Sequence, residues 1–189
     1  MEHHETPLPG VRILKPRRHT DARGYFSETW NRETLRSIGI DVDFVQDNHS
    51  LSHDAGVLRG LHFQAPPRAQ DKLVRVTSGA IMDVIVDIRR GSATFGTWAS
   101  VELSAQNGLQ VFIPKGFLHG FVTRLPGTEI AYKCSDVYAP ECEGAVHFAD
   151  PDLAIDWGIA AQDAILSEKD RNAPKFRDFQ SPFVQEDQS

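Results

Sequence analysis

Two histidines set in short apolar segments carry most of the chemical signal in this 189-residue chain. His62 lies near the end of GVLRGLHFQ (Gly56 to Gln64), where glycines let another backbone or a ligand approach closely. His119 closes GLQVFIPKGFLHG, after a Pro-x-Gly turn. Lys72, Asp83 and Tyr132 stand on neighbouring strand-like segments. This set suits proton abstraction beside a carbonyl. A neutral imidazole removes the acidic C–H proton, a cation stabilises the enolate oxygen, and a phenol on the opposite side returns a proton. The residue types leave a metal-dependent role for the two imidazoles open.

These side chains must be positioned by strands. If Ser78-Gly79 forms a two-residue loop, Val76 pairs with Ile81, Val74 with Asp83 and Lys72 with Ile85. Lys72, Val74 and Val76 then share a face with Ile81, Asp83 and Ile85, and Lys72 becomes a diagonal neighbour of Asp83. So apolar a face is expected to be buried, and a buried Lys-Asp pair points to function. The same period of two puts Thr128, Ile130, Tyr132 and Cys134 on one face, so Tyr132 points inward. Leu58, Gly60, His62 and Gln64 share a face, with Arg59 on the other unless Gly60 makes a bulge.

Turn signals recur at Ser52 to Gly56, Ser78-Gly79, Arg90 to Gly96, Gln106 to Gly108 and Pro126-Gly127. That punctuation predicts an all-β sandwich or barrel with a few short helices, in one domain over 1–189. Val11 to Leu14 and Tyr25 to Trp30 read as strands around a turn at Asp21 to Gly24. Asn31 caps a short helix through Leu35 and Ile38 that Gly39 ends. SEKDRNAP opens another short helix. Residues 1–10 read as frayed, with His3 and His4 solvated, and the tail after Pro182 as disordered. A net charge of −6 and a pI near 5.7 argue against nucleic acid or an anionic membrane as partner. With no signal peptide and no apolar run of spanning length, a cytoplasmic location is expected. Cys134 and Cys142 match no zinc spacing and are expected as free thiols.

Gly56 with His62, and Gly108 with Pro114, Gly116 and His119, resemble the two signatures of the cupin superfamily, whose fold is a jelly roll. Metal-binding cupins carry a second histidine two residues after the first. Here that position is Gln64, and APPRAQDK, which follows, contains no glutamate. Two imidazoles alone make a poor metal site.

A narrower resemblance runs from about Arg23 to Asp170. FVQDNHS, VLRGLHFQ, KLVRVTSG, DVIVDIRRGSATFG, IPKGFLHGF, YKCSDVYAPECEG and IDW are similar, in order, to the dTDP-4-dehydrorhamnose 3,5-epimerase family. The resemblance implies a homodimer, often formed by exchange of N-terminal strands, with no metal or organic cofactor. It implies a substrate, dTDP-4-dehydro-6-deoxy-D-glucose, whose C4 ketone acidifies C3 and C5. His62 resembles the general base and Asp170 in LSEKD the carboxylate that orients it, while Ser167 and Asp170 also read as a helix capping box. Lys72, with Asp83 beside it, resembles the enolate-stabilising cation, and Tyr132 the general acid. Arg23 and Phe26 in RGYF, Arg59 and His119 resemble substrate contacts, the arginines and His119 at the pyrophosphate. Glu28, Gln46, Asn48, Glu143 and Lys169 resemble further contacts, and Tyr138 the ring that stacks on thymine. Leu118 departs from the family's usual alanine and is expected to add bulk near the pocket. Related enzymes that epimerise only C3, and metal-dependent cupins, are the alternatives.

Overall fold

The computed structural model describes residues 1–185. Two antiparallel sheets pack face to face. One has six strands in the order β1 (Glu2–Glu5), β2 (Arg12–Lys15), β10 (Gln110–Ile113), β7 (Lys72–Ser78), β12 (Thr128–Cys134) and β5 (Gln46–Ser52). The other has five, in the order β13 (Glu143–Ala145), β6 (Leu58–Gln64), β11 (Phe117–Thr123), β8 (Ala80–Asp87) and β9 (Trp98–Ser104). β3 (His19–Asp21) and β4 (Gly24–Phe26) form a separate two-stranded ribbon. This is the all-β sandwich that the turn spacing predicts, with the cupin-like jelly roll that the resemblance implies.

Period-two alternation sorts each strand between two environments. Val74, Val76, Ile81, Ile85, Phe121 and Ile130 meet in the interior between the sheets. Leu58, Leu61, Phe63, Val84 and Leu118 face the other way, where Phe148, Trp157 and Phe183 of the C-terminal segment cover them. The six-stranded sheet is covered on its outer face by Leu35 of α1 (Arg32–Ser37) and by Ile40, over Leu14, Leu73 and Phe112. Asn31 caps α1 by accepting from the Thr34 amide, and Gly39 follows with φ +81. The second helix, α2, spans Glu168–Arg171.

The expected hairpin at Ser78-Gly79 does not form. β7 and β8 lie in opposite sheets, β7 pairing with β10 and β12, and β8 with β9 and β11. Gly79, at φ +78, turns the chain through a corner, and a Cβ there would lie 2.3 Å from the Thr128 hydroxyl. The shared face survives for a different reason. Lys72, Val74 and Val76 look across the interior at Ile81, Asp83 and Ile85, because the inner faces of the two sheets meet there.

Three boundary expectations also change. Residues 2–5 pair with β2, so the N-terminus is an edge strand; such a strand needs only backbone partners, while buried Leu8 and Val11 anchor the turn behind it. His3 and His4 on it are exposed. The strand expected over Tyr25 to Trp30 stops at Phe26. After Pro182, Phe183 is buried against Phe63, and Val184 bridges to Arg90. Residues 186–189 of the expected tail lie outside the described residues.

Candidate active site

The site lies in the interior, toward one end of the sandwich. A cavity of about 460 Å³ is lined by Arg59, His62, Lys72, His119, Tyr132 and Asp170, among others. A second, of about 260 Å³, shares His62, Lys72 and Tyr132 with the first and adds Gln46, Asn48, Tyr138 and Glu143. The three shared side chains therefore stand at the waist between two compartments.

β6 brings His62 there through an irregularity. His62 pairs with His119 and Arg59 with Phe121, with the register shifting between them. Gly60 is the residue that makes this possible. Its φ is +123, and a Cβ would lie 2.6 Å from the Gly120 Cα and 2.8 Å from the His119 carbonyl oxygen. The shift puts Arg59 and His62 on the cavity side, while Leu58 and Leu61 pack in the outer core. Arg59 thus reaches the pocket by the bulge.

His62 Nε2 lies 2.5 Å from Asp170 Oδ1. Asp170 is 3% exposed, and its second oxygen accepts from the Ser167 hydroxyl at 2.8 Å. Burial pushes the Asp170 carboxyl up, but the bonds from His62, Ser167 and the Gly60 amide outweigh it and hold the group below its ordinary value. An ionised Asp170 accepts from Nε2–H, which leaves the lone pair on Nδ1. Nδ1 has no partner among the described residues. Ser167 also accepts from the Asp170 amide, so the capping role and the pairing with His62 coexist.

His119 forms a second pair, its Nε2 2.8 Å from Asp83 Oδ2. Asp83 is fully buried, with Oδ1 unpartnered. Lys72 makes no side-chain hydrogen bond or ion pair among the described residues, so the expected Lys72–Asp83 contact does not form; Asp83 is taken by His119 instead. Burial pushes its amine down, opposed by Cys134, Asp83 and Glu143. Cys134 sits directly opposite Lys72 in the β12–β7 register. Its thiol is raised by burial and stays neutral. Tyr132 points inward as its strand phase predicts; burial, reinforced by Cys134, raises the phenol against the opposing pull of Arg59. A phenol so raised holds its proton at neutral pH.

At the second compartment the Tyr138 hydroxyl donates to Glu143 Oε2 at 2.9 Å, and Lys169 pairs with the same oxygen at 2.5 Å. Burial raises Glu143, but these two donors hold it below its usual range. Gln46 accepts from the Tyr138 amide and donates to Asn48. Gln64, at the position of the absent second histidine, ties down the Tyr138 loop. Its amide donates to the Val137 carbonyl at 2.9 Å and accepts from the Ala139 amide at 2.9 Å.

Arg23, Phe26 and Glu28 are not brought to either cavity. Arg23 sits on the β3–β4 turn, exposed and paired with Asp21, Phe26 is 72% exposed, and Glu28 accepts from Asn31. Leu118 is fully buried in the outer core, so the expectation that it adds bulk near the pocket does not hold. Strand phase alone had put Cys134 beside Tyr132, but its place opposite Lys72 required the true strand pairing.

Comparison with known proteins identifies the family. The family model for dTDP-4-dehydrorhamnose 3,5-epimerase matches residues 5–178. The chain is 50% identical over 173 residues to the Pseudomonas aeruginosa protein of that name, covering 90% of this chain and 93% of the relative. It is 47% identical over 175 residues to the Methanothermobacter thermautotrophicus protein, covering 92% and 94%. A dTDP-6-deoxy-D-glucose-3,5-epimerase from Legionella pneumophila, solved in complex with dTDP-4-keto-L-rhamnose, superposes with a TM-score of 0.92 at 43% identity over 98% of this chain and 99% of that one. With the fold and the sequence in agreement, the chain is an epimerase that belongs to the dTDP-4-dehydrorhamnose 3,5-epimerase family.

Proposed function

We propose that the enzyme converts dTDP-4-dehydro-6-deoxy-D-glucose to dTDP-4-dehydro-L-rhamnose by successive deprotonation and reprotonation at C3 and C5. The observation that carries this reading is the His62–Asp170 pair with its free Nδ1, in one cavity with Lys72 and an inward Tyr132. Nδ1 of His62 takes the proton next to the C4 ketone, and the electron pair moves onto O4. Lys72 stabilises that oxygen; the enolate supplies the negative charge that the buried, otherwise unpaired amine lacks. Tyr132 then gives its hydroxyl proton to the opposite face of the same carbon, and before the next cycle solvent reprotonates the phenolate and takes the abstracted proton from His62. The scheme calls for no metal or organic cofactor.

The remaining residues hold the nucleotide. Arg59 and His119 contact the pyrophosphate, for which a guanidinium fork is well shaped. Tyr138 stacks on thymine, with Gln46, Asn48, Glu143 and Lys169 around it, as the second compartment's lining supports. Asp83 acts behind His119 and beside Lys72. Arg23, Phe26 and Glu28 serve the pocket of a second protomer, so the working unit is a homodimer of single-domain chains in the cytoplasm. Their exposure on a ribbon outside their own pocket supports this. Among the described residues no helix is long and apolar enough to cross a membrane, and both cysteines are free thiols.

The test is the NMR spectrum of the product from purified enzyme and dTDP-4-dehydro-6-deoxy-D-glucose. The expected product is inverted at C3 and C5. Inversion at C3 alone would replace this reading with a C3 epimerase, and an unchanged substrate would overturn it.

A further inference from the structure

We infer that Ser167 is a positioning residue for the base, acting through Asp170; this rests on the proposed role of the His62–Asp170 pair. Asp170 belongs to α2, four residues long and far too short to be stable by itself. Its carboxylate must nevertheless be aimed at an imidazole on β6, in the opposite part of the chain. The Ser167 hydroxyl does this with both of its hydrogen-bonding functions. Oγ accepts from the Asp170 amide at 3.1 Å, which closes the first turn, and donates to Asp170 Oδ2 at 2.8 Å, which fixes the rotation of the carboxyl group. With Oδ2 held, Oδ1 is left to His62. No other side chain donates to Oδ2 among the described residues, so one hydroxyl decides which oxygen meets the imidazole. Ser167 also lines the cavity itself.

A signature separates this role from simple helix capping. The Ser167 donor is one of the contacts that keep Asp170 acidic. Without it the carboxylate holds a proton more tightly, so Asp170 protonates at higher pH. The acid limb of kcat/KM must therefore move upward, which loss of a cap alone would not cause.

The experiment measures turnover of the dTDP-keto-sugar by Ser167→Ala, Ser167→Gly and Ser167→Thr, with His62→Asn alongside. Glycine is included because a helix N-cap tolerates it far better than alanine, so that variant folds even if alanine does not. The expected result is a kcat lower by about tenfold for the alanine and glycine variants, about the size of one lost hydrogen bond to a charged group. KM should stay within about twofold, since only the reacting geometry is disturbed. The acid limb should shift upward, and Ser167→Thr, which keeps the hydroxyl, should restore both. In an Asp170→Asn background Ser167→Ala should cost nothing further. Wild-type kcat in the glycine variant, an unmoved acid limb, or a full additional loss in the Asp170→Asn background would each overturn the inference. If His62→Asn turns over like wild type, the reading of the base itself fails; if His62→Asn is inactive and Ser167→Gly is not impaired, only the role of Ser167 fails.

Discussion

In the proposed mechanism His62, Tyr132 and Lys72 divide one proton transfer among three chemically different groups, and each role predicts a different lesion. His62→Asn keeps the size of the ring's polar end but removes the base, so turnover should fall at least about a hundredfold. A variant within a few fold of wild type in a steady-state assay would remove His62 from the mechanism. Tyr132→Phe leaves the base in place. Exchange at C3 should remain measurable while inversion is impaired, and unchanged turnover would discharge Tyr132 as the acid. Lys72 must be a cation to hold the enolate, yet burial pushes its amine down. The alkaline limb of kcat/KM should therefore fall below the ordinary lysine value of about 10.4. Tyr132 is shifted upward and cannot supply that limb. Lys72→Arg should displace the limb beyond the measurable range, even where activity drops, because guanidinium does not titrate there.

The strands place those residues, and they were legible to different degrees. Inward phase for Tyr132 follows from period-two patterning, because a pleated strand leaves a side chain only two faces, whereas the common environment of Lys72 and Asp83 was reached through a hairpin that does not form and arises because the two sheets face each other. Which strands pair is another matter. Ser78-Gly79 has hairpin chemistry, yet the chain turns a corner between sheets at that glycine, since β7 finds partners in β10 and β12 much later in sequence. Local turn residues do not encode such distant competitors. The edge strand β1 was invisible because it has no buried face to leave a pattern, and Phe183 because one aromatic in a polar tail has no period. The Gly60 bulge is the element on which Arg59 depends. Gly60→Ala should destabilise the protein by at least about 2 kcal/mol, as measured by urea unfolding, since backbone atoms meet the new Cβ and φ is unfavourable. A ΔΔG near zero would contradict the close approach. For α2, Asp170 is held below its unfolded value, so its contribution to stability is present above about pH 4 and lost as the pH falls through its lower folded value. Asp170→Asn should accordingly lose less stability than wild type between pH 5 and acid, as followed by urea midpoints at each pH.

At the scale of the whole molecule, the chain holds the proposed base, acid and cation around one cavity but leaves Arg23, Phe26 and Glu28 outside it. If a partner's pocket receives them, two inactive chains can complement each other. Arg23→Ala and His62→Asn, unfolded and refolded together, should regain about a quarter of wild-type activity, because half of randomly assorted dimers are hybrids with one complete site. No gain on mixing would confine each site to its own chain. The most direct test of the central claim is the wild-type enzyme with dTDP-4-dehydro-6-deoxy-D-glucose in deuterium oxide, with solvent deuterium followed by NMR. Deuterium should enter at both C3 and C5, and do so with His62→Asn only far more slowly. Conversion of the substrate with neither carbon labelled would contradict proton abstraction by His62 altogether.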